Sequence, residues 1–316
     1  MISSLIFSAI VLAGILVAVM YLTLLERKFA GRLQSRIGPQ RAGWPIGYLQ
    51  PIADTVKLLM KEDVVPQVAD EKTFNLAPIV VLLPALLVFV VIPYGDNLIL
   101  ADLNIGVLFI LAVSSLSLLG IFMAAWGSKN KYSVLSGMRA VNQMISYEVP
   151  LVLSCLVPVI LAGSMKLSDI VTFQEKVWFV FYPVLGQLAF LVFLISALAE
   201  SNRMPFDITE AESELVAGFM VEYSGMKFAF FFLTEYAHML GISFIAAILF
   251  LGGWGGPLLP PGVWLALKVL FMFLFILWIR WSLVRVRLDQ ILAFSWKVLF
   301  PISLVVLLLA GIWKVW

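Results

Sequence analysis

The sequence predicts an all-α, polytopic membrane protein with about eight transmembrane helices, organised as a single domain over residues 1–316. Three observations carry that reading. Hydrophobic residues make up 62% of the chain and charged residues only 13%, well outside the range of soluble globular domains. The apolar residues fall in runs long enough to cross a hydrocarbon core of about 30 Å, which takes about 20 helical residues. All of the 21 Lys and Arg except Lys166, Lys176, Lys268 and Lys314 lie in the alternate loops 27 to 74, 126 to 142, 199 to 227 and 279 to 297. Basic loops stay in the cytoplasm, so both termini are expected outside.

The spans are expected at residues 2 to 25, 75 to 94, 103 to 126, 143 to 163, 177 to 199, 225 to 251, 262 to 281 and 298 to 315. The first has no Lys or Arg before Arg27 and no small-residue cleavage site, so it reads as an uncleaved helix and not a signal peptide. Glu26-Arg27-Lys28 closes it. Turns at Gly38-Pro39, Gly43 and Trp44-Pro45 follow, and then Ile52, Val56, Leu59 and Met60 recur at helical spacing, with Asp54, Lys57 and Lys61 on other faces. This predicts a short amphipathic helix in the first cytoplasmic loop, starting after Pro51 and lying in the interface. Two readings of the loop stay open. It is either a basic segment that fixes orientation, or a cavity mouth whose apolar residues floor a slot against the bilayer while Arg and Asp meet the head of a lipid-soluble ligand.

Within the spans, Cys155 sits among Leu, Val and Ser and reads as packing. One Cys and one His cannot supply the ligands of an iron–sulfur cluster, a zinc site or a bis-His haem. No metal site is expected, and any electrons must come from a partner. The net charge of +2 follows from membrane orientation and gives no reason to expect nucleic acid. No Gly-rich phosphate loop is present. No repeat of fixed period divides the chain, which favours one domain and weighs against a free-standing antiporter built from inverted repeats.

The chemistry concentrates after span five. Glu200, Asp207, Glu210, Glu212, Glu214, Glu222 and Glu235 gather at a membrane boundary in a chain with 19 acidic residues in all. An ionised group at the centre of a membrane helix costs about 2.5–3.5 kcal/mol on insertion scales, so such residues mark ion or proton paths. Asp207 and Glu210 have capping-box spacing just after Pro205, which predicts a short helix there. On it Glu210 and Glu214 share a face and repel, while Glu212 points roughly the other way. A solvated acidic loop has the same pattern, but here the acidic groups continue into the membrane. Glu148 follows Ser146-Tyr147 in the cytoplasmic third of span four, and Glu235 lies about two turns inside span six. His238, three positions on, shares the Glu235 face and is either a structural residue or a partner for its proton.

The motifs Glu26-Arg27-Lys28, Arg36-Ile37-Gly38-Pro39, Leu49-Gln50-Pro51-Ile52-Ala53-Asp54, Ser146-Tyr147-Glu148, Ala199 to Glu214, Glu222-Tyr223-Ser224-Gly225, Glu235-Tyr236, Gly252-Gly253-Trp254 and Asp289-Gln290 occur in this order over nearly the whole chain. With them the chain resembles the quinone-site membrane subunits of respiratory complex I, the family that includes the H subunit of bacterial NADH:quinone oxidoreductase and its mitochondrial equivalent. The resemblance implies an eight-helix subunit of a proton-translocating complex in the cell inner (plasma) membrane or an equivalent energy-transducing membrane. It implies that Arg36, Ala53, Asp54 and Phe206 line or gate a quinone chamber and that Glu210, Glu212 and Glu214 form its acidic lip. Asp207, Glu200, Glu148 and Glu235 would continue the lip as a proton relay, with Arg139, Arg203 and Arg287 as counter-charges. Quinone would be a substrate, reduced by the terminal iron–sulfur cluster of a peripheral-arm subunit. Neighbouring small membrane subunits, antiporter-like subunits and the lipid bilayer would be the other partners. The rival branch is the membrane subunit of a ferredoxin-dependent hydrogenase, which uses no quinone; the run from Ala199 to Glu214 with Glu222-Tyr223 favours the quinone branch.

Overall fold

The computed structural model describes residues 2–95, 98–208, 217–257 and 259–315, with side chains from residue 8 onward. Its elements are α1 (Ile2–Leu33), α2 (Gln50–Met60), α3 (Glu71–Leu87, prolonged by a 3-10 turn Val88–Val90), α4 (Gly106–Gly127), α5 (Lys131–Ala162) and α6 (Leu167–Phe173). They continue with α7 (Leu185–Glu200), α8 (Gly225–Leu249), α9 (Pro261–Ser282), α10 (Leu288–Phe294) and, after a π turn Ser295–Leu299, α11 (Phe300–Val315). Among the described residues there is no strand, only an isolated bridge between Gly95 and Leu98. The protein is an all-helical, polytopic membrane protein, with seven helices long and apolar enough to cross a bilayer among the described residues.

The span expected over 177 to 199 is represented by α7, whose 16 residues measure about 24 Å at 1.5 Å per residue. Pro183 and the positive φ of Val184 (65°) stop a helix from starting earlier. The stretch before them forms a 3-10 turn, Phe179–Phe181, held by buried Gln174. The Gln174 amide oxygen accepts from the backbone N–H of Phe179 and Gly252, and its Nε2 donates to the Ile248 carbonyl at 2.9 Å. Gly186 fits here because a Cβ would stand 1.7 Å from the Phe179 carbonyl oxygen.

Three helices run further than hydropathy predicts. α1 continues through Glu26-Arg27-Lys28 to Leu33, because Glu26 turns inward and is buried by other helices. α5 starts at Lys131, where the Asn130 side chain accepts from the Tyr132 N–H, so the expected loop 126 to 142 is mostly helix. The last span begins at Leu288, and its π turn lies just before Pro301, whose ring nitrogen cannot donate to the Lys297 carbonyl.

Close approach of the helices depends on small residues. A Cβ on Gly120 of α4 would meet the Val81 backbone nitrogen of α3 at 2.8 Å, and one on Gly137 of α5 would meet the Ala125 Cβ at 2.2 Å. Lipid is as apolar as the helix faces, so such packing, not hydrophobic exclusion, draws spans together. The main core gathers Tyr147, Phe179, Phe193, Phe250 and Phe273. A smaller one stacks Phe74 on Tyr223 with ring centres 4.1 Å apart.

The amphipathic helix expected after Pro51 is α2, with Pro51 in its first turn. Its C-terminal end is fastened to the start of α8. Ser224 Oγ accepts from the Val64 N–H at 3.0 Å and donates to the Glu62 carbonyl, and Lys227 pairs with Asp63 at 2.7 Å. Gly225 adopts a φ of +54° and passes so near the Lys61 carbonyl oxygen that a Cβ would lie 3.0 Å from it.

Candidate functional site

α7 ends at Glu200, and the chain then reverses through Asn202, whose φ of +51° is one that Asn adopts more readily than most residues. The reversal is fixed from α5. Gln143 Nε2 donates to the carbonyls of Ala199 and Phe206, each at 2.8 Å, and lies 3.3 Å from Asn202 Oδ1. Arg203, only 3% exposed, is thereby driven into the bundle.

There it joins a buried ionic chain. Arg203 Nε lies 2.5 Å from Glu235 Oε1 on α8, and Arg203 Nη1 lies 3.4 Å from Glu26 Oε1 on α1. Arg280, in the last turn of α9, reaches the same Glu26 oxygen. The guanidinium of Arg203 also stands 4.8 Å from the centre of the Tyr236 ring. Charges alternate along Arg280, Glu26, Arg203 and Glu235, so the carboxylates and guanidiniums neutralise one another where water is scarce. Breaking such a buried pair by removing one member costs about 3–5 kcal/mol, because the other is left uncompensated.

Asp207 is buried further along the same loop. Its Oδ2 is 3.2 Å from Arg285 Nη2, and the backbone N–H of Val286 donates to the Pro205 carbonyl, so the segment after α9 is laid across the 203 to 208 segment. Phe206 packs on Tyr147 with ring centres 5.4 Å apart, and the Tyr147 hydroxyl donates to the Ile291 carbonyl. Glu148 on α5 faces Glu200 on α7, close enough for their charges to oppose each other.

On the other side of α1 is a cavity of about 780 Å³, bounded by α1, α2, α3 and α8. That volume lies in the range of sites for small organic ligands. Most of its wall is apolar, including Leu16, Val19, Leu86 and Phe232, and its polar groups are grouped at one end: Thr23, Arg27, Asp54, Thr55 and Lys57. Arg27 Nη1 bonds Asp54 Oδ2 at 2.5 Å, and Gln50 Nε2 donates to the other Asp54 oxygen at 2.9 Å. From Leu16 to Arg27 the cavity follows α1 for about 16 Å. Neighbouring residues of a helix point about 100° apart, so Arg27 faces this cavity while Glu26 faces the buried ionic chain.

A family model described as NADH dehydrogenase matches residues 6–311. The chain belongs to the NADH dehydrogenase family. It is 52% identical over 300 residues to the H subunit of NADH-quinone oxidoreductase of Dehalococcoides mccartyi (strain CBDB1), covering 95% of this chain and 84% of that protein. It is 49% identical over 312 residues to the corresponding H subunit of Geobacillus kaustophilus, covering 98% and 93%. The H subunit of Bacillus mycoides is 46% identical over 311 residues, covering 97% and 92%. The family match thus runs from α1 into α11 and takes in both the ionic chain and the large cavity.

Of the residues singled out from the sequence, the structure brings Asp54 to the large cavity and Glu200 and Glu235 to the wall of a small internal one. Arg36 is exposed and donates to Gln34, Ala53 is half-buried, and Phe206 is in the core; none of these is in the wall of the large cavity. Glu210, Glu212 and Glu214, with the short helix expected there, lie outside the described residues. Ile52, Val56 and Leu59 are exposed, and the large cavity is met by the face of α2 that carries Pro51, Asp54, Thr55 and Leu58. Glu235 pairs with Arg203 and not with His238. Arg287 is exposed and lies 3.7 Å from Asp289, and Arg139 is half-buried. By sequence Glu26 reads as the close of span one within a motif of the family resemblance, and Arg280 and Arg285 as basic residues of the last cytoplasmic loop. Glu26 carries one signal of another role, since an acidic residue in a basic boundary cluster needs a cation close by.

Proposed function

We propose that this chain is the membrane subunit of a quinone-reducing, redox-driven proton pump, that the large cavity receives the quinone, and that the buried charges behind it connect quinone reduction to proton movement. The observation that carries the reading is the position of α1 between the two sites, with Arg27 on the cavity wall and Glu26 in the ionic chain. A quinone has a polar head and an apolar tail, which suits a cavity with polar groups at one end and apolar residues along the rest.

Reduction of a quinone takes up two electrons and two protons. The electrons come from the iron–sulfur cluster of a peripheral-arm subunit. Negative charge arriving at the head competes with Asp54 for Arg27 and changes the field at Glu26. A unit charge about 10 Å away, at an effective dielectric of about 20, is worth about 1.7 kcal/mol, enough to shift a protonation equilibrium more than tenfold. Glu26, Arg203 and Glu235 redistribute in response, and Glu148, Glu200, Asp207 and the acidic residues Glu210, Glu212 and Glu214 serve as proton donors and acceptors along the path toward antiporter-like subunits. Arg36 and Ala53 act at the rim, where the peripheral arm docks, and Phe206 supports the 203 to 208 segment from the core. Both termini face outward from the cytoplasm of a cell whose inner membrane holds the complex.

A photoreactive quinone analogue applied to the assembled complex, with and without a competing quinone-site inhibitor, tests the proposal. Competed labelling is expected within residues 16–27, 51–58 and 226–233. Competed labelling confined to other parts of the chain would overturn it.

A further inference from the structure

Glu200 and His238 each line two internal cavities. One, of about 40 Å³, lies on the Glu235 side and also exposes Ser201, Asn202 and Thr234. The other, of about 30 Å³, lies among α3, α4, α5, α7 and α8 and carries Ser114 and Cys155. A buried water needs roughly 10–15 Å³ and two to four polar partners, and each cavity meets both requirements. Among the described residues no hydrogen bond ties His238 to a protein group, and the residue borders both cavities.

We propose that His238 carries protons between these two cavities, extending the path from Glu235 toward the α3–α4 side of the bundle. This rests on the proton-pump reading above. A neutral imidazole has one N–H donor and one unprotonated acceptor nitrogen. A proton from water on the Glu235 side binds the acceptor, and the proton on the opposite nitrogen leaves to water on the Ser114 side. The ring returns to neutral in its other tautomer, and a ring flip resets it. The polar groups facing His238 across the cavities are Glu200 from α7 with Ser201 and Asn202 after it, Thr234 and Glu235 from its own helix with Arg203 held against Glu235, Ser114 from α4 and Cys155 from α5; α3 contributes only apolar side chains. Glu200 also borders both cavities, but a carboxyl group must rotate its proton from one side to the other. The imidazole takes a proton on one edge and releases it from another.

The test uses the assembled complex in proteoliposomes, carrying His238→Asn or, should that variant fail to assemble, His238→Gln, each able to hydrogen-bond but not to relay a proton. Glu235→Gln is measured beside them. Positioned proton transfer is worth about 10²–10⁴-fold, so the expected result is a fall of roughly tenfold or more in proton translocation, with the quinone KM unchanged because His238 is not in the large cavity. Wild-type translocation in the His238 variant together with loss in Glu235→Gln overturns the His238 role alone. Wild-type translocation in both overturns the acidic path and the His238 role with it. Where neither His238 variant assembles, infrared difference spectra of the wild-type complex with ring-labelled histidine decide: no imidazole band that follows quinone turnover overturns the proposal.

Discussion

Arg203 Nε meets Glu235 Oε1 at 2.5 Å, joining the loop after α7 to a point about 15 Å along α8 from its start. The loop that Gln143 fixes to α5 is thus also anchored electrostatically to α8 and, through Glu26, to α1. Any change in charge at one of these groups is felt by all of them.

Replacing Arg203 by Met leaves Glu26 and Glu235 without the cation between them. A loss of about 3–5 kcal/mol in stability is expected. Thermal unfolding of the assembled complex in mild detergent measures it, and a midpoint equal to wild type would mean that the ionic chain does not hold the loop.

Glu235→Gln keeps the size and hydrogen bonding of the side chain and removes its charge change. The variant is expected to assemble, to reduce quinone, and to lose most of the proton translocation linked to it. Proton uptake by proteoliposomes per quinone reduced is the measurement, and a wild-type ratio would take Glu235 out of the path.

Asp54→Asn weakens the charge-assisted contact with Arg27 at the polar end of the large cavity. An exposed ion pair contributes only about 0–1 kcal/mol to stability, so the unfolding midpoint should hardly move, while Arg27 loses the group that positions it at the polar end of the cavity and the quinone KM is expected to rise. A variant with a lower maximal rate and unchanged KM would place Asp54 in the chemistry instead of in binding.

Gly225→Ala probes how α2 is held. The positive φ of Gly225 costs a side-chain-bearing residue about 1–2 kcal/mol, and the new methyl would press on the Lys61 carbonyl at 3.0 Å. α2 should shift and the quinone KM should rise, although residue 225 is not in the cavity wall. An unchanged KM in a stably assembled variant would show that the cavity tolerates displacement of this end of α2.

Lys268 serves as a distant control. Buried in α9, it donates to the carbonyls of Gly253 at 2.9 Å and Gly255 at 2.7 Å, and its ammonium lies 4.4 Å from the centre of the Trp178 ring. Lys268→Met is expected to cost about 2 kcal/mol of stability and to loosen the 252 to 256 segment, detectable as faster proteolysis there, with no change in quinone KM.

The helices and the position of α2 were legible in the sequence because apolar length, Pro51 and helical spacing are local properties. The face of α2 that meets the cavity was not. Periodicity separates an apolar face from a polar one, but in an interfacial helix the apolar side of Ile52, Val56 and Leu59 can turn to lipid as readily as to protein. Glu235 was legible as a costly charge in a membrane span. Its partner was less so, since Arg203 lies many residues away along the chain while His238 stands at helical spacing. Glu26 and Arg280 were hidden for a related reason: a charge near the end of an apolar run looks like a membrane boundary until tertiary packing turns it inward.

The large cavity has exposed Val17 at one end of its wall and exposed Thr55 and Lys57 at the other, so it opens sideways along a membrane helix. A ligand that enters by that route never crosses bulk water, and the quantity that sets its occupancy is its mole fraction in the lipid. Diluting the complex and its quinone pool with additional phospholipid, at constant amounts in the tube, should therefore slow turnover just as dilution slows a reaction in solution, whereas adding buffer should not.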